Sequence, residues 1–110
     1  MSKARPRGKD TNPFNEIDTV VHEPARLNIM AQLYVVESAD FLFLMRQTGL
    51  TFGNLSSHLS KLETAGYVSV KKEFFGKMPH TMLRLTEKGR VAFRKYMQSM
   101  KQIFSDLSDA

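Results

Sequence analysis

Gly49-Leu50-Thr51-Phe52-Gly53-Asn54-Leu55-Ser56-Ser57-His58-Leu59-Ser60-Lys61-Leu62-Glu63 sits at the centre of the stretch, residues 40–85, that decides the fold. Leu55, Leu59 and Leu62 recur at i, i+4 and i+7, so a helix over residues 51–65 gathers them into one apolar stripe. Gly53, Asn54, Ser57, Ser60, Lys61 and Thr64 fall on the opposite face, which is small and rich in hydrogen-bonding groups. Thr51 stands where it can cap the free amides, and Leu50 before it can staple onto Leu55. Asn54 occupies the position where a capping box carries Glu or Gln, so the helix start rests on the threonine and the staple. Gly66 supplies the left-handed residue that ends such a helix with least strain.

Upstream, Asp40 can cap a helix over residues 41–47, and Gly49 offers the positive φ that a tight turn between helices needs. This is helix-turn-helix spacing, although two short helices can also pack this way without touching nucleic acid. Downstream, residues 67–74 alternate in character, residues 75–79 break the pattern and residues 81–85 alternate again, which predicts a hairpin. Lys71, Lys72, Lys77, His80 and Arg84 fall on or near its tip. A basic hairpin directly after a recognition helix is the layout of a wing that lies along a DNA backbone.

The run from Thr48-Gly49-Leu50 to Glu63-Thr64-Ala65-Gly66-Tyr67-Val68 resembles the winged-helix transcriptional regulators of bacteria and archaea, in particular the small single-domain group related to the MarR and ArsR families. The resemblance continues through the wing, residues 72–81, into Leu85-Thr86-Glu87-Lys88-Gly89-Arg90. It also reaches back to His22-Glu23-Pro24-Ala25-Arg26-Leu27-Asn28-Ile29-Met30, and so covers residues 14–97. It implies a winged helix-turn-helix, mainly α with a small β-hairpin (α+β), whose N-terminal and C-terminal helices pair two copies. The implied function is transcriptional regulation through sequence-specific binding of double-stranded DNA.

Charge supports that direction. The net +5 is unevenly spread: residues 11–60 carry two basic and five acidic groups, whereas residues 61–101 carry ten basic and three acidic. Positive charge concentrated on the wing side suits a surface that displaces counterions from phosphates. Residues 1–10 add four basic groups and one acidic. Residues 1–13, polar and poor in apolar side chains, are expected to form a disordered basic arm, able to follow phosphates or a minor groove or simply to aid solubility.

With 110 residues the chain suits a single domain, residues 14–110. A content of 42% hydrophobic and 25% charged residues is a soluble globular balance. No apolar run is long enough to span a bilayer and no signal-peptide core follows the basic start, so a cytoplasmic protein without membrane partners is expected. Zero cysteines exclude a disulfide framework and a thiolate metal site. His22, His58 and His80 are far apart and lack metal-like spacing with carboxylates. Ser56-Ser57-His58 has no orienting acid, and no Gly-rich phosphate loop follows a strand; neither enzyme activity nor a cofactor is expected.

Phe14, Ile17 and Val20/Val21 predict a first helix. A second, residues 24–37, begins at Pro24, where a missing N–H is harmless. It is apolar around much of its circumference and should be buried from two sides. In the last helix, residues 86–107 capped by Thr86, the series Phe93, Tyr96/Met97, Met100, Ile103/Phe104 and Leu107 has the spacing of a short heptad seam. A homodimer is expected, reading an inverted repeat with helix 51–65 in the major groove and wing 71–84 on the backbone. The expected DNA contacts are Thr51, Gly53, Asn54, Ser56, Ser57, Ser60 and Lys61 on the helix and Lys71, Lys72, Lys77, His80 and Arg84 on the wing. Asn54 and Ser57 can reach base edges, Ser60, Lys61 and Thr64 suit phosphates as well, and the helix lacks arginine, the usual reader of guanine. Two alternatives stay open: a winged helix that binds another protein of a transcription or scaffold complex, and a regulator that holds a small apolar effector between its second and last helices.

Overall fold

The computed structural model describes residues 12–110, so the basic-arm expectation falls, through residue 11, outside the described residues. The described chain opens on a single 3-10 turn, Pro13–Glu16, capped by the Asn12 side chain accepting from the Phe14 amide. No α-helix forms over residues 14–21, contrary to the spacing of Phe14, Ile17 and Val20. Asp18 explains the difference: one carboxylate oxygen accepts from the Val20 and Val21 amides at 2.9 and 3.3 Å, and such local bonds compete with helical ones. Its other oxygen accepts from the Tyr67 hydroxyl, which ties the segment to a distant part of the chain. Burial, reinforced by the Asp18 carboxylate, pushes the Tyr67 phenol up to about 12.

Helix α1, Pro24–Val35, is capped by Glu23, whose carboxylate accepts from the Arg26 amide at 2.7 Å; that bond holds the Glu23 carboxyl below its usual range. It stops two residues short of the predicted end. Ile29, Met30 and Leu33 are buried, and α1 packs on α2, α3, β3 and α4, so the expected burial from two sides is met within one chain. A two-residue strand that the sequence does not announce, β1 (Ala39–Asp40), leads into α2, Phe41–Thr48. Asp40 caps α2 by accepting from the Leu42 and Phe43 amides. Gly49, at φ +73°, closes α2 in the left-handed conformation and turns the chain toward α3.

Helix α3, Phe52–Thr64, starts at the Thr51 cap, whose hydroxyl oxygen accepts from the Asn54 amide at 3.2 Å. It ends in a Schellman closure, with the Tyr67 N–H donating to Leu62 C=O and the Gly66 N–H to Glu63 C=O. Strands β2 (Val68–Phe75) and β3 (Met78–Leu85) form an antiparallel hairpin, and β1 adds to the far side of β3, giving the order β1-β3-β2. The hairpin is longer than predicted. Pairing runs from Val68↔Leu85 to Phe75↔Met78, so only Gly76 and Lys77 turn, with Gly76 at φ +64° as a two-residue hairpin loop requires. Pro79 is accommodated in β3 because β1 pairs no further out than Met82 and leaves that edge free.

Helix α4, Glu87–Ser108, begins at the Thr86 cap. Its first turn is seated on the end of α3: Thr86 N–H donates to Tyr67 C=O at 3.0 Å and the Thr86 hydroxyl to Gly66 C=O at 2.6 Å. Gly89 faces the same peptide, so closely that a β-carbon there would lie 2.1 Å from the Tyr67 oxygen. One hydrophobic core joins all these elements. Leu55, Leu59 and Leu62 meet Ile29, Met30, Leu33, Leu44, Val68, Leu83, Leu85 and Phe93, each large aliphatic contributing roughly 1.5–3 kcal/mol by leaving water.

Candidate nucleic-acid interface

The core stripe of α3 fixes what the helix presents outward. With the three leucines buried, Gly53, Asn54, Ser56, Ser57, Ser60, Lys61 and Thr64 are all exposed. Thr51, also exposed, spends a lone pair on its cap but keeps its hydroxyl proton free for an acceptor. The outer face is thus a shallow row of donors and acceptors with the positive end of the helix dipole at its start. His58 lies off this row, 3.3 Å from Arg26 Nη1 and 3.8 Å from Glu23 Oε1, and faces α1.

On the hairpin the structure separates the predicted cations into two groups. Lys71, Lys72 and Lys77 are exposed and, with Lys61, form no ion pair among the described residues. Arg84 instead lies at the base of the hairpin opposite Ser69 and pairs with Glu73 at 3.0 Å. His80 sits between, its Nδ1 3.0 Å from Asp40 Oδ1 and its ring edge-on to Phe75 at 4.9 Å. Asp40 therefore uses one oxygen to cap α2 and the other to hold the hairpin. The His80 contact, with the Phe43 and Leu42 amides, draws its carboxyl below the usual carboxylate range.

Three features went unread in the sequence. Phe52, the first residue of α3, is 64% exposed, its ring packed on that of Phe41 with centroids 5.0 Å apart. A groove of about 560 Å³ runs between α3 and the hairpin, bordered by Phe41, Phe52, Ser56, Glu63 and Pro79. The hairpin tip bears three exposed apolar side chains, Phe74, Phe75 and Met78. The alternation of β2 signals Phe74, but the long pairing that carries Phe75 and Met78 out from the body shows only in the fold.

Helix α4 resolves the predicted seam into two sides. Phe93, Tyr96 and Ile103 are buried within the chain, and Tyr96 donates to or accepts from His22 Nδ1 at 2.8 Å. Met97, Phe104 and Leu107 are exposed, with half-buried Met100 in line with them, at the alternating three-and-four spacing of a heptad stripe. Among the described residues no helix is long and apolar enough to cross a membrane, and no group of three or more His, Cys, Asp or Glu side chains is placed to hold a metal ion.

This architecture has relatives. Residues 25–104 match the family model described as winged helix DNA-binding domain. A protein of Methanocaldococcus jannaschii described as uncharacterized is 36% identical over 88 residues, covering 80% of this chain and 96% of that one. Among solved structures, a transcriptional regulator homologue from Pyrococcus horikoshii superposes with a TM-score of 0.82 at 30% identity, covering 86% of this chain and 96% of the other. A MarR-family transcriptional regulator from Enterococcus faecalis has the same fold, with a TM-score of 0.70 at 20% identity and 96% of each chain covered.

Proposed function

Because the chain belongs to the family of winged helix DNA-binding domains, we propose that it is a transcriptional regulator that binds an inverted-repeat operator as a homodimer, with α3 in the major groove and the hairpin as its wing. Two independent features of the structure support this reading. The exposed polar row of α3 and the unpaired lysines of the wing tip each suit one part of a duplex, the base edges and the phosphates.

Asn54 and Ser57 read base edges, Asn54 by the bidentate match to adenine, while Thr51, Gly53 and Ser56 bring the helix backbone close to the groove wall. Ser60, Lys61 and Thr64 hold phosphates, and Lys71, Lys72 and Lys77 hold those beside the neighbouring minor groove. Arg84 and His80 act mainly by stiffening and orienting the wing, because Glu73 and Asp40 already satisfy them. Two copies meet along Met97, Phe104 and Leu107, which a lone chain leaves in water, with half-buried Met100 in line with them. The pairing spaces the α3 helices about one turn of DNA, roughly 34–36 Å, apart.

Two substitutions test the docking. Lys77→Ala lowers affinity for every duplex alike and reduces the log–log salt slope by about 1, the signature of one lost phosphate contact. Asn54→Ala costs about 1–3 kcal/mol on selected operators and nothing on random duplex. If neither change alters binding, α3 and the wing are not the surface that meets DNA.

A further inference from the structure

Beyond the pair Lys71↔Met82, where Met82 is still buried and β1 makes its last pairing through Asp40, the hairpin has no further core partner. Four residues of β2, 72–75, therefore project as a two-stranded ribbon, about 13 Å at roughly 3.3–3.4 Å per residue. Paired residues of a ribbon share a face and successive pairs alternate. Phe74 with Pro79 thus lies on the face that continues from Val70, and Phe75 with Met78 on the other. The tip is apolar on both faces. Phe74 is 63%, Phe75 54% and Met78 64% exposed, and such a clustered apolar patch marks an interaction surface.

Charge selects what covers them. The exposed lysines nearest the tip, Lys71, Lys72 and Lys77, flank the apolar cluster on both faces and at the turn, and none is neutralised by an ion pair among the described residues. An occupant that is strongly anionic at its rim and apolar within fits this pattern, which is the make-up of a DNA groove: phosphates outside, stacked bases inside. With α3 in the major groove, the adjacent minor groove, half a turn along the duplex, is the one beside such a ribbon. The Gly76-Lys77 turn at its end is the narrowest that a hairpin can make.

Resting on the DNA-binding reading above, we propose that the wing tip is an apolar wedge: Phe74 and Met78, backed by Phe75, enter the minor groove beside each half-site and part a base step. The lysines hold the flanking phosphates while the wedge unstacks the step and bends the duplex toward the major groove. Pyrimidine–purine steps part most easily, so the wedge adds a preference at positions that no polar side chain reads. His80 contributes by holding Phe75 edge-on and by tying the ribbon to Asp40, which keeps the tip aimed.

The test uses the full chain and inverted-repeat duplexes recovered by selection, with 2-aminopurine placed in turn at each step outside the half-sites and a donor–acceptor dye pair at the ends. Wild type is expected to raise 2-aminopurine fluorescence severalfold at one step per wing and to bring the ends together. The Phe74→Ser/Met78→Ser double variant, altered only at exposed positions, should lose both signals and keep the salt slope, because its lysines are intact. Phe74→Leu, still an apolar wedge, should restore them. Wild type that binds with a steep salt slope but brightens no step overturns the wedge and leaves the regulator reading standing. Failure of wild type to bind any duplex overturns both. A tip that joins copies of the chain would show as a lower sedimenting mass in the double variant with unchanged duplex signals, and that result too refutes the wedge.

Discussion

Gly89→Ala gives the sharpest test of the packing that sets the wing. A β-carbon at this position would stand 2.1 Å from the Tyr67 carbonyl oxygen and 2.9 Å from its carbon. Both are backbone atoms, so no side chain can swing aside. Relief requires the first turn of α4 to lift by about 1 Å, since an ordinary carbon–oxygen contact is roughly 3.3 Å, and overpacking of this kind costs about 1–3 kcal/mol. The same Tyr67 oxygen accepts from Thr86 N–H, and Thr86 Oγ1 donates to the neighbouring Gly66 oxygen. Lifting α4 weakens both bonds, at about 0.5–1.5 kcal/mol each. Alanine returns about 1 kcal/mol through its better helix propensity. The net loss is therefore about 1–5 kcal/mol, which for a domain of this size lowers Tm by at least about 4 °C. Gly53→Ala is the control, because a β-carbon there would meet nothing within 4 Å; it should hold or raise Tm while weakening operator binding. Thermal melts followed by circular dichroism decide. A Gly89→Ala protein as stable as wild type would refute the contact and, with it, the seating of α4.

Other expectations follow from single contacts. Asp40 and Glu23 both have carboxyl pKa values held down in the folded chain, so the stability they lend is present above the ordinary carboxylate range and is lost as pH falls through the depressed values. Asp40→Asn should therefore be less stable than wild type in urea at neutral pH, with the gap closing below about pH 4; a gap that stays constant with pH would mean that the His80 contact contributes nothing. Phe104→Ser combined with Leu107→Ser, both at exposed positions of α4, should leave the melting curve of the monomer fold in place but shift sedimentation equilibrium toward single chains and lower operator affinity by more than tenfold. Unchanged mass would remove α4 as the pairing element.

Much of this fold is legible in local chemistry. Thr51 and Asp40 cap helices with their side chains, Gly49 and Gly66 take the positive φ that lacking a β-carbon allows, and the leucine stripe of α3 points at the core as its spacing demands. What stays hidden depends on partners distant in sequence. The spacing of Phe14, Ile17 and Val20 is helical, yet Asp18 binds two amides and Tyr67 instead. Strand β1 is too short to leave a pattern and exists through its pairing with Leu83 and Met82. Proline and glycine at 76–79 read as a broken strand, because a sequence does not show that the outer edge of β3 is unoccupied there. For the interface, the polar row of α3 and the three free lysines are visible as residue types. That Arg84 and His80 are committed to Glu73 and Asp40 is not, since those pairs form only across the sheet. The function of Gly89 is likewise invisible until the Tyr67 peptide is placed against it.

Operator recognition is decided by a fluorescence-anisotropy titration of the purified full chain, at several salt concentrations, against random duplex and against pools of inverted repeats. Binding should fall steeply and linearly on a log–log plot against salt concentration and be tighter by orders of magnitude on paired half-sites than on random or single-half-site duplex. Absence of binding even at low salt would contradict operator recognition and point to a winged helix that engages another protein instead.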